Sequence, residues 1–454
     1  MTTIWASQAL LPSGWARDVL IELNGSGRIT AVSEGQPPSG HRTGILLPAP
    51  ANAHSHAFQR AMAGLTEARG PDPRDSFWTW RRLMYRFLDL LTPDQVQAIA
   101  ALVQMEMLEA GYATNVEFHY LHHQRGGTPY DDLSEMGGRI AAAAAQTGIG
   151  LTLLPVQYQF GGCDKRALIS GQDRFGNDPG RFARLVAESR AALSLLPADA
   201  RLGVAPHSLR AVAAEDVIGA PELAAGGPVH LHLAEQTAEV DEIEAAYGRR
   251  PVEWLLENAP VGPQWCLIHC TQMQPHETTG LAATGAVAGV CPITESSLGD
   301  GIFDGARWME SGGRIAVGSD SNIRISLSEE LRMLEYSQRL RDRSRAALAT
   351  PDQSTGRRLF EAICAGGARA AGRESGQIAP GLLGDLMALD DSHIDLTGQD
   401  GDTLLDCYIF AGDDRMVRDV WAAGRHLVHH GRHRDRDAIT AAYVKAMEPL
   451  RGAL

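Results

Sequence analysis

The sequence predicts an α/β protein: a (β/α)8 TIM-like barrel with a small β-sandwich domain built from both chain ends. Three observations carry this. Through the middle of the chain, short apolar runs alternate with longer helical stretches, the rhythm of βα units around a parallel sheet. Eight such apolar runs can be placed, the number that closes a barrel. Both ends of the chain read instead as β-rich.

In chain order, the runs at 19–23 and 28–32 flank Asn24-Gly25-Ser26-Gly27, which reads as a hairpin. Barrel strands are expected at 45–53, 114–120, 150–156, 201–208, 228–235, 265–271, 286–295 and 314–321. The helical stretches between them include 94–110, 134–146, 181–195 and 251–257. β-rich runs return at 386–389, 416–421 and 425–428, and these are expected to pair with the N-terminal hairpin. The expected division is therefore residues 1–46 as the first part of the β-sandwich domain, 47–375 as the barrel, and 376–454 as the rest of the sandwich plus a terminal helix. Two connections, 60–93 and 157–180, are long, as lids and binding loops after barrel strands usually are.

Composition sets outer limits. The 454 residues are 44% hydrophobic and 21% charged, which excludes a disordered or collagen-like chain. The formal charge of -14 argues against a nucleic-acid partner, which needs a basic face, but leaves room for a locally basic pocket holding a small anion. No apolar run reaches the roughly 18 residues of a membrane span. No basic segment followed by an apolar run opens the chain, so no secretory signal is expected. The six cysteines show no CxxC and no framework spacing, which reads as reduced thiols in a cytoplasm.

The chemistry-bearing residues collect at the C-terminal ends of the expected strands, the face where barrels build active sites. His54 and His56 end the first strand, and a period of two points both side chains the same way. The fifth strand carries His230 and His232, one expected as a ligand and the other as a packing residue. His232 is the choice because Glu235 follows it at the strand mouth. His269 lies on the sixth strand and Asp320 closes the eighth. A lone strand-terminal Asp often caps the next helix, but beside three histidines it reads as a ligand and proton acceptor. Imidazoles plus one carboxylate suit a single divalent metal, zinc or iron first, with a coordination position left for water. Such a metal can bring the pKa of bound water to about 7. Glu235 then reads as a proton shuttle, and His269 as a group that orients hydroxide or stabilises a tetrahedral centre. The reaction class is hydrolysis at an sp² carbon.

At these residues the chain resembles the amidohydrolase superfamily over nearly its whole length. Many binuclear members use a carboxylated lysine on strand four. Here 201–208 has none, and the only lysines are Lys165 and Lys445, so a lysine-bridged pair of metals is not expected. His232-Leu233-Ala234-Glu235 looks like the mononuclear aminohydrolase branch. Within it the chain is similar to the formimidoylglutamate deiminases. The likeness rests on Ala53-His54-Ser55-His56-Ala57-Phe58-Gln59-Arg60, Phe77-Trp78-Thr79-Trp80-Arg81, Glu117-Phe118-His119-Tyr120-Leu121-His122-His123, Pro206-His207-Ser208-Leu209-Arg210, His232-Leu233-Ala234-Glu235-Gln236 and Cys291-Pro292-Ile293-Thr294-Glu295. Related nucleobase deaminases usually carry Asn where Glu295 stands.

The resemblance implies hydrolysis of N-formimidoyl-L-glutamate to N-formyl-L-glutamate and ammonia in histidine degradation, by attack of metal-bound hydroxide on the formimidoyl carbon. It assigns His54, His56, His232 and Asp320 to one divalent ion, zinc by default, with Fe2+ or another divalent ion as the alternative. It makes Glu235, His269 and Asp320 catalytic, and Gln59, Arg81, Tyr120, His207 and Arg210 substrate-binding. Family habit points to a homodimer.

The substrate makes chemical sense. A small dicarboxylate amidine needs cations at carboxylate distance from the metal, and arginine forks grip carboxylates. Arg210 follows strand four and Arg81 lies in the first long loop, so each can take one carboxylate. Arg81 has a second reading as a cation stacked on Trp78 or Trp80, and Tyr120 shares its strand end with His119, which has the opposite parity. His122 and His123 read as surface loop histidines, and the role of Glu295 is left open. Two other functions compete. A mononuclear deaminase of a nucleobase or other heterocycle shares the metal residues but not the carboxylate-binding set. A non-catalytic interaction barrel typically lacks ligands or the shuttle, and here those positions are filled.

Overall fold

The computed structural model describes residues 2–67 and 84–453. Strands β1 (Thr2–Leu11), β2 (Gly14–Leu23), β3 (Ile29–Ser33) and β4 (His41–Pro48) come from the N-terminal end. They join β14 (Leu386–Leu389), β15 (Val417–Ala422), β16 (Arg425–His429) and β17 (Arg432–His433) in one eight-stranded mixed sheet, ordered β17-β16-β15-β14-β4-β1-β2-β3. The expected hairpin is β2 and β3. Its turn is closed by Asn24 Oδ1, which accepts from the backbone N–H groups of Ser26 and Arg28. The composition-based reading had passed over β1, which pairs with β2 antiparallel and with β4 parallel.

Period two divides this sheet between two cores. Ile45 and Leu47 of β4, with Met387 and Leu389 of β14, pack into the large core shared with the barrel. Leu46, Leu386 and Ala388 point the other way, into a second core with Ile4, Val19, Ile21 and Trp421. One sheet thus covers the barrel and encloses its own apolar interior.

The barrel strands are β5 (Ala51–Ser55), β6 (Thr114–His119), β7 (Gly150–Gln157), β8 (Arg201–Leu202), β9 (Ala205–Pro206), β10 (Val229–Leu233), β11 (Trp265–His269), β12 (Val287–Val290) and β13 (Arg314–Val317). All pair in parallel, in one sheet from β5 to β8 with β9 beside β7, and another from β10 to β13. Parallel bridges Ser55–Asp320 and Val204–Val229 join the two sheets at both edges and close the ring.

Three expected strands change shape. The run 45–53 is two strands, because Pro48 and Pro50 withhold ladder donors and let the chain turn from end sheet to barrel. The run 201–208 is the broken pair β8 and β9. The run 286–295 ends at Val290, and Pro292, which fits the first turn of a helix, starts the helix Pro292–Leu298 that carries Glu295. The helices agree more closely: 94–110 is Pro93–Glu109, opened by a Thr92–Gln95 capping box, and 134–146 is Glu135–Thr147.

Barrel and end sheet are tied by charge as well as by apolar packing. Arg373, fully buried, reaches Asp199 at 3.1 Å just before β8 and Asp385 at 3.0 Å just before β14. Arg425 of β16 adds two bonds to Asp199, each 2.8 Å. Among the described residues no helix is long and apolar enough to cross a membrane.

Candidate active site

Side chains from β5, β10, β11 and the end of β13 converge at the C-terminal mouth of the barrel. His54 Nε2 lies 3.2 Å from His56 Nε2 and 3.1 Å from His232 Nε2. Asp320 Oδ1 lies 3.6 Å from His54 Nε2 and 3.3 Å from His56 Nε2. Tetrahedral zinc at roughly 2.0–2.1 Å from nitrogen or oxygen places its ligands about 3.3 Å apart. These spacings therefore fit a single zinc-sized ion.

Ring orientation supports the same assignment. The His56 Nδ1–H donates to the Phe118 carbonyl at 2.9 Å, and the His232 Nδ1–H to the His207 carbonyl at 3.2 Å. Each ring thereby turns its Nε2 lone pair toward the shared centre, the role outer hydrogen bonds play around metals. Burial and the neighbouring imidazoles hold His54 and His232 well below the ordinary histidine value, and burial takes His56 to about 3. Three neutral rings with convergent lone pairs have no proton to share, and a cation satisfies them.

Asp320 is pushed up to about 7 by burial, with His269 pulling down and Glu235 and Glu295 pushing further up. Burial disfavours a charged His269, but Glu235, Glu295 and Asp320 outweigh it and hold the ring well above its ordinary value. His269 Nε2 is 3.8 Å from both Glu235 Oε1 and Asp320 Oδ2. Two carboxylates thus flank the His269 ring at one centre.

A cavity opens over these groups at the barrel mouth. Gln59, Tyr120, His207 and Arg210 line it. Gln59 donates to the Tyr120 hydroxyl at 2.7 Å, and its own Oε1 is buried without a partner. Burial holds the Tyr120 phenol well above its ordinary value, so it stays a neutral donor. Arg210 is only 8% exposed, and among the described residues its guanidinium meets no hydrogen-bond or ion-pair partner. Arg81 lies outside the described residues.

Other expected residues fall elsewhere. His230 is buried with Nε2 against the Ala370 carbonyl at 2.8 Å, away from the cluster. His122 and His123 are buried rather than on the surface: His122 Nε2 meets the Val156 carbonyl, and His123 Nε2 the Gly176 carbonyl.

The sequence reading also missed several groups. Tyr158 and Phe175, from the long 157–180 connection, wall the cavity. Glu295, whose role the sequence leaves open, has Oε1 3.2 Å from His269 Nδ1. Asn322 Nδ2 donates to Ser55 Oγ, the His56 carbonyl and the Asp320 carbonyl, while Ser319 Oγ donates to Asn322 Oδ1 at 2.6 Å. Asn52 donates to the same Ser319 hydroxyl at 2.7 Å, so β5 and the end of β13 are welded beside the ligands. Ala234, His269, Cys270, Asp320 and Asn322 all adopt positive φ. Such strain costs of order 1–3 kcal/mol per residue and gathers at functional sites.

Comparison with known proteins follows the same lines. The amidohydrolase family matches residues 45–427, and the N-terminal domain of formimidoylglutamate deiminase HutF matches residues 1–41. The chain is 46% identical to the formimidoylglutamate deiminase of Pseudomonas aeruginosa, over 99% of this chain and 100% of that one. Among solved structures, an amidohydrolase from Brucella melitensis superimposes with a TM-score of 0.95 at 47% identity, over 99% of this chain and 100% of that chain. An adenosine deaminase from Xanthomonas campestris with bound zinc reaches 0.82 at 22% identity, over 99% and 98% of the two chains, a likeness of fold alone.

Proposed function

The chain belongs to the amidohydrolase family, and from that premise we propose that it hydrolyses the terminal C–N bond of N-formimidoyl-L-glutamate, releasing N-formyl-L-glutamate and ammonia. The observation that carries the choice of substrate is Arg210. A buried guanidinium that makes no hydrogen bond or close ion pair among the described residues, in the cavity over the histidine cluster, can take an anion, and a glutamate-derived amidine brings two carboxylates. A neutral heterocycle has no carboxylate to place there. The 46% identity to the deiminase of Pseudomonas aeruginosa supports the same reading.

In this proposal His54, His56, His232 and Asp320 hold one divalent ion, zinc first. When bound, the ion supplies Lewis acidity that makes water acidic enough to attack at neutral pH. Arg210 takes a substrate carboxylate, and Gln59, Tyr120 and His207 supply polar contacts along the cavity wall. Asp320 accepts the proton of the attacking water. His269, held protonated, stabilises negative charge developing at the reacting carbon's substituents. Glu235 carries a proton to the terminal nitrogen, so that ammonia leaves and the glutamate nitrogen stays. The proposal treats 47–375 as the catalytic barrel and 1–46 with 376–454 as the end domain. It places the enzyme in the cytoplasm.

The test is ammonia release from N-formimidoyl-L-glutamate beside N-formimidoyl-L-aspartate, guanine and adenosine, with and without added metal. Metal-dependent turnover of the glutamate compound is expected. Turnover of guanine or adenosine instead would keep the metal cluster and overturn the carboxylate pocket.

A further inference from the structure

Away from the barrel mouth, three side chains of the end sheet form a second cluster of metal-binding type. His41 heads β4, Asp419 lies on β15 and His426 on β16. One ligand atom from each can be chosen so that all three lie within 4.8 Å of one another. His426 Nε2 is 2.8 Å from Asp419 Oδ1, and His41 Nε2 is 3.8 Å from Asp419 Oδ2. Trp421 walls the cluster: its ring stacks on His426 at 4.3 Å and meets His41 edge-on at 5.3 Å.

The second observation is polar and unexplained. Asp419 is 2% exposed, and its Oδ2 has no hydrogen-bond partner. The atom facing it, His41 Nε2, is equally buried and also lacks one. Leaving a buried carboxylate oxygen and an imidazole nitrogen unsatisfied side by side is costly. Arg418 balances charge from one side, its Nε 3.4 Å from Oδ2, but without hydrogen-bond geometry. The His41 and His426 side chains keep 36% and 19% of their surface, so the cluster lies near the edge of the fold although His41 Nε2 and Asp419 Oδ2 themselves are buried. His429 adds a third imidazole at the rim, its ring centroid 3.7 Å from that of His426.

We propose that His41, Asp419 and His426 form a second divalent-metal site, of zinc type, on the end sheet, separate from the barrel cluster. Two imidazoles, one carboxylate and solvent make a four-coordinate zinc set. A bound ion would engage the orphaned Asp419 oxygen and His41 nitrogen, replace the His426–Asp419 hydrogen bond, and clamp β4 to β15 and β16. The cluster lies toward the opposite end of the barrel from the mouth. The adjacent Arg425 bonds the Gly148 carbonyl and Asp199, which precede β7 and β8. The ion's role would therefore be to hold the fold, not to act on substrate.

The test is metal analysis of the full-length holoenzyme after equilibration in micromolar zinc and gel filtration, for wild type, H41Q and H426Q. Wild type is expected to carry one zinc more than either variant, to bind that equivalent at least tenfold more tightly by calorimetry, and to gain thermal midpoint with zinc where the variants do not. Turnover should be equal in all three, which also reports that the variants fold and that the barrel site is loaded. Equal zinc content in wild type and a folded variant would overturn the proposal. If one variant fails to fold, the other decides.

Discussion

His269 Nδ1 and Glu295 Oε1 lie 3.2 Å apart, and the same carboxylate oxygen accepts the Cys291 backbone N–H at 2.7 Å. Glu295 is thereby fixed at the start of its helix before it meets the ring. It orients the His269 ring and helps to raise its pKa. Glu295→Gln keeps the shape and removes the charge. A charge-assisted hydrogen bond is worth about 1.5–3 kcal/mol, so kcat should fall about 10- to 100-fold with little change in KM. The sign of the pH effect follows. The His269 pKa is raised in the native site, and losing a carboxylate lowers it, so the alkaline limb of the kcat profile should move to lower pH. An unmoved limb would show that Glu295 does no more than pack.

Arg210 allows two roles to be separated by one substitution. A structural buried arginine loses packing and partners when removed, and the fold weakens. An arginine that waits for substrate breaks no hydrogen bond of the fold when it is removed, its charge being balanced at a distance by Glu239 and Glu235. Arg210→Met should therefore raise KM about 100-fold while the thermal midpoint holds. A fall of several degrees with KM unchanged would assign Arg210 to structure.

What could be read from the sequence is what depends on local period. His54 and His56 share a face because a strand repeats every two residues, and His232 with Glu235 sits at a strand mouth whatever the neighbours do. The order of the barrel strands follows from apolar runs alternating with helical ones. What escaped depends on contacts between distant segments. The weld of Asn52, Ser319 and Asn322 spans 267 residues of chain, and no spacing rule reaches that far. Glu295 was read on a strand because the apolar run continues past Val290, where Pro292 starts a helix. His122 and His123 looked like surface residues because two adjacent histidines in a polar stretch carry no sign of the carbonyls that bury them.

Gly318 shows how tightly that weld is packed. A Cβ built on it would sit 2.6 Å from the His54 backbone nitrogen and 2.7 Å from His54 Cβ. Neither atom can move without shifting the metal-ligand strand. Overpacking of this kind costs about 1–3 kcal/mol. Gly318→Ala should lower the free energy of unfolding by that amount and also weaken metal retention, measured as residual zinc after dialysis against a chelator. Normal retention would mean that β5 has slack the packing does not show.

The salt-bridge cluster between end sheet and barrel yields a pH-dependent prediction. Burial alone would push Asp199 upward. The Arg425 hydrogen bonds and the charges of Arg373 and Arg425 outweigh it, and the pKa sits below the ordinary 3.8. A carboxylate whose folded pKa is depressed adds stability above its unfolded pKa, and that stability is lost as pH falls through the folded value. Asp199→Asn leaves the fully buried Arg373 with Asp385 alone and Arg425 with no carboxylate among its hydrogen bonds. Removing one partner of a buried pair typically costs about 3–5 kcal/mol. At pH 7 the variant should unfold at clearly lower denaturant. The gap to wild type should stay constant down to about pH 5 and narrow as pH falls below about 4, where the unfolded chain takes up a proton that folded Asp199 still resists. A gap that does not narrow at all below about pH 4 would mean that Asp199 contributes through shape and not through charge. That would move the weight of the barrel–sheet junction onto the apolar core around Leu47 and Met387.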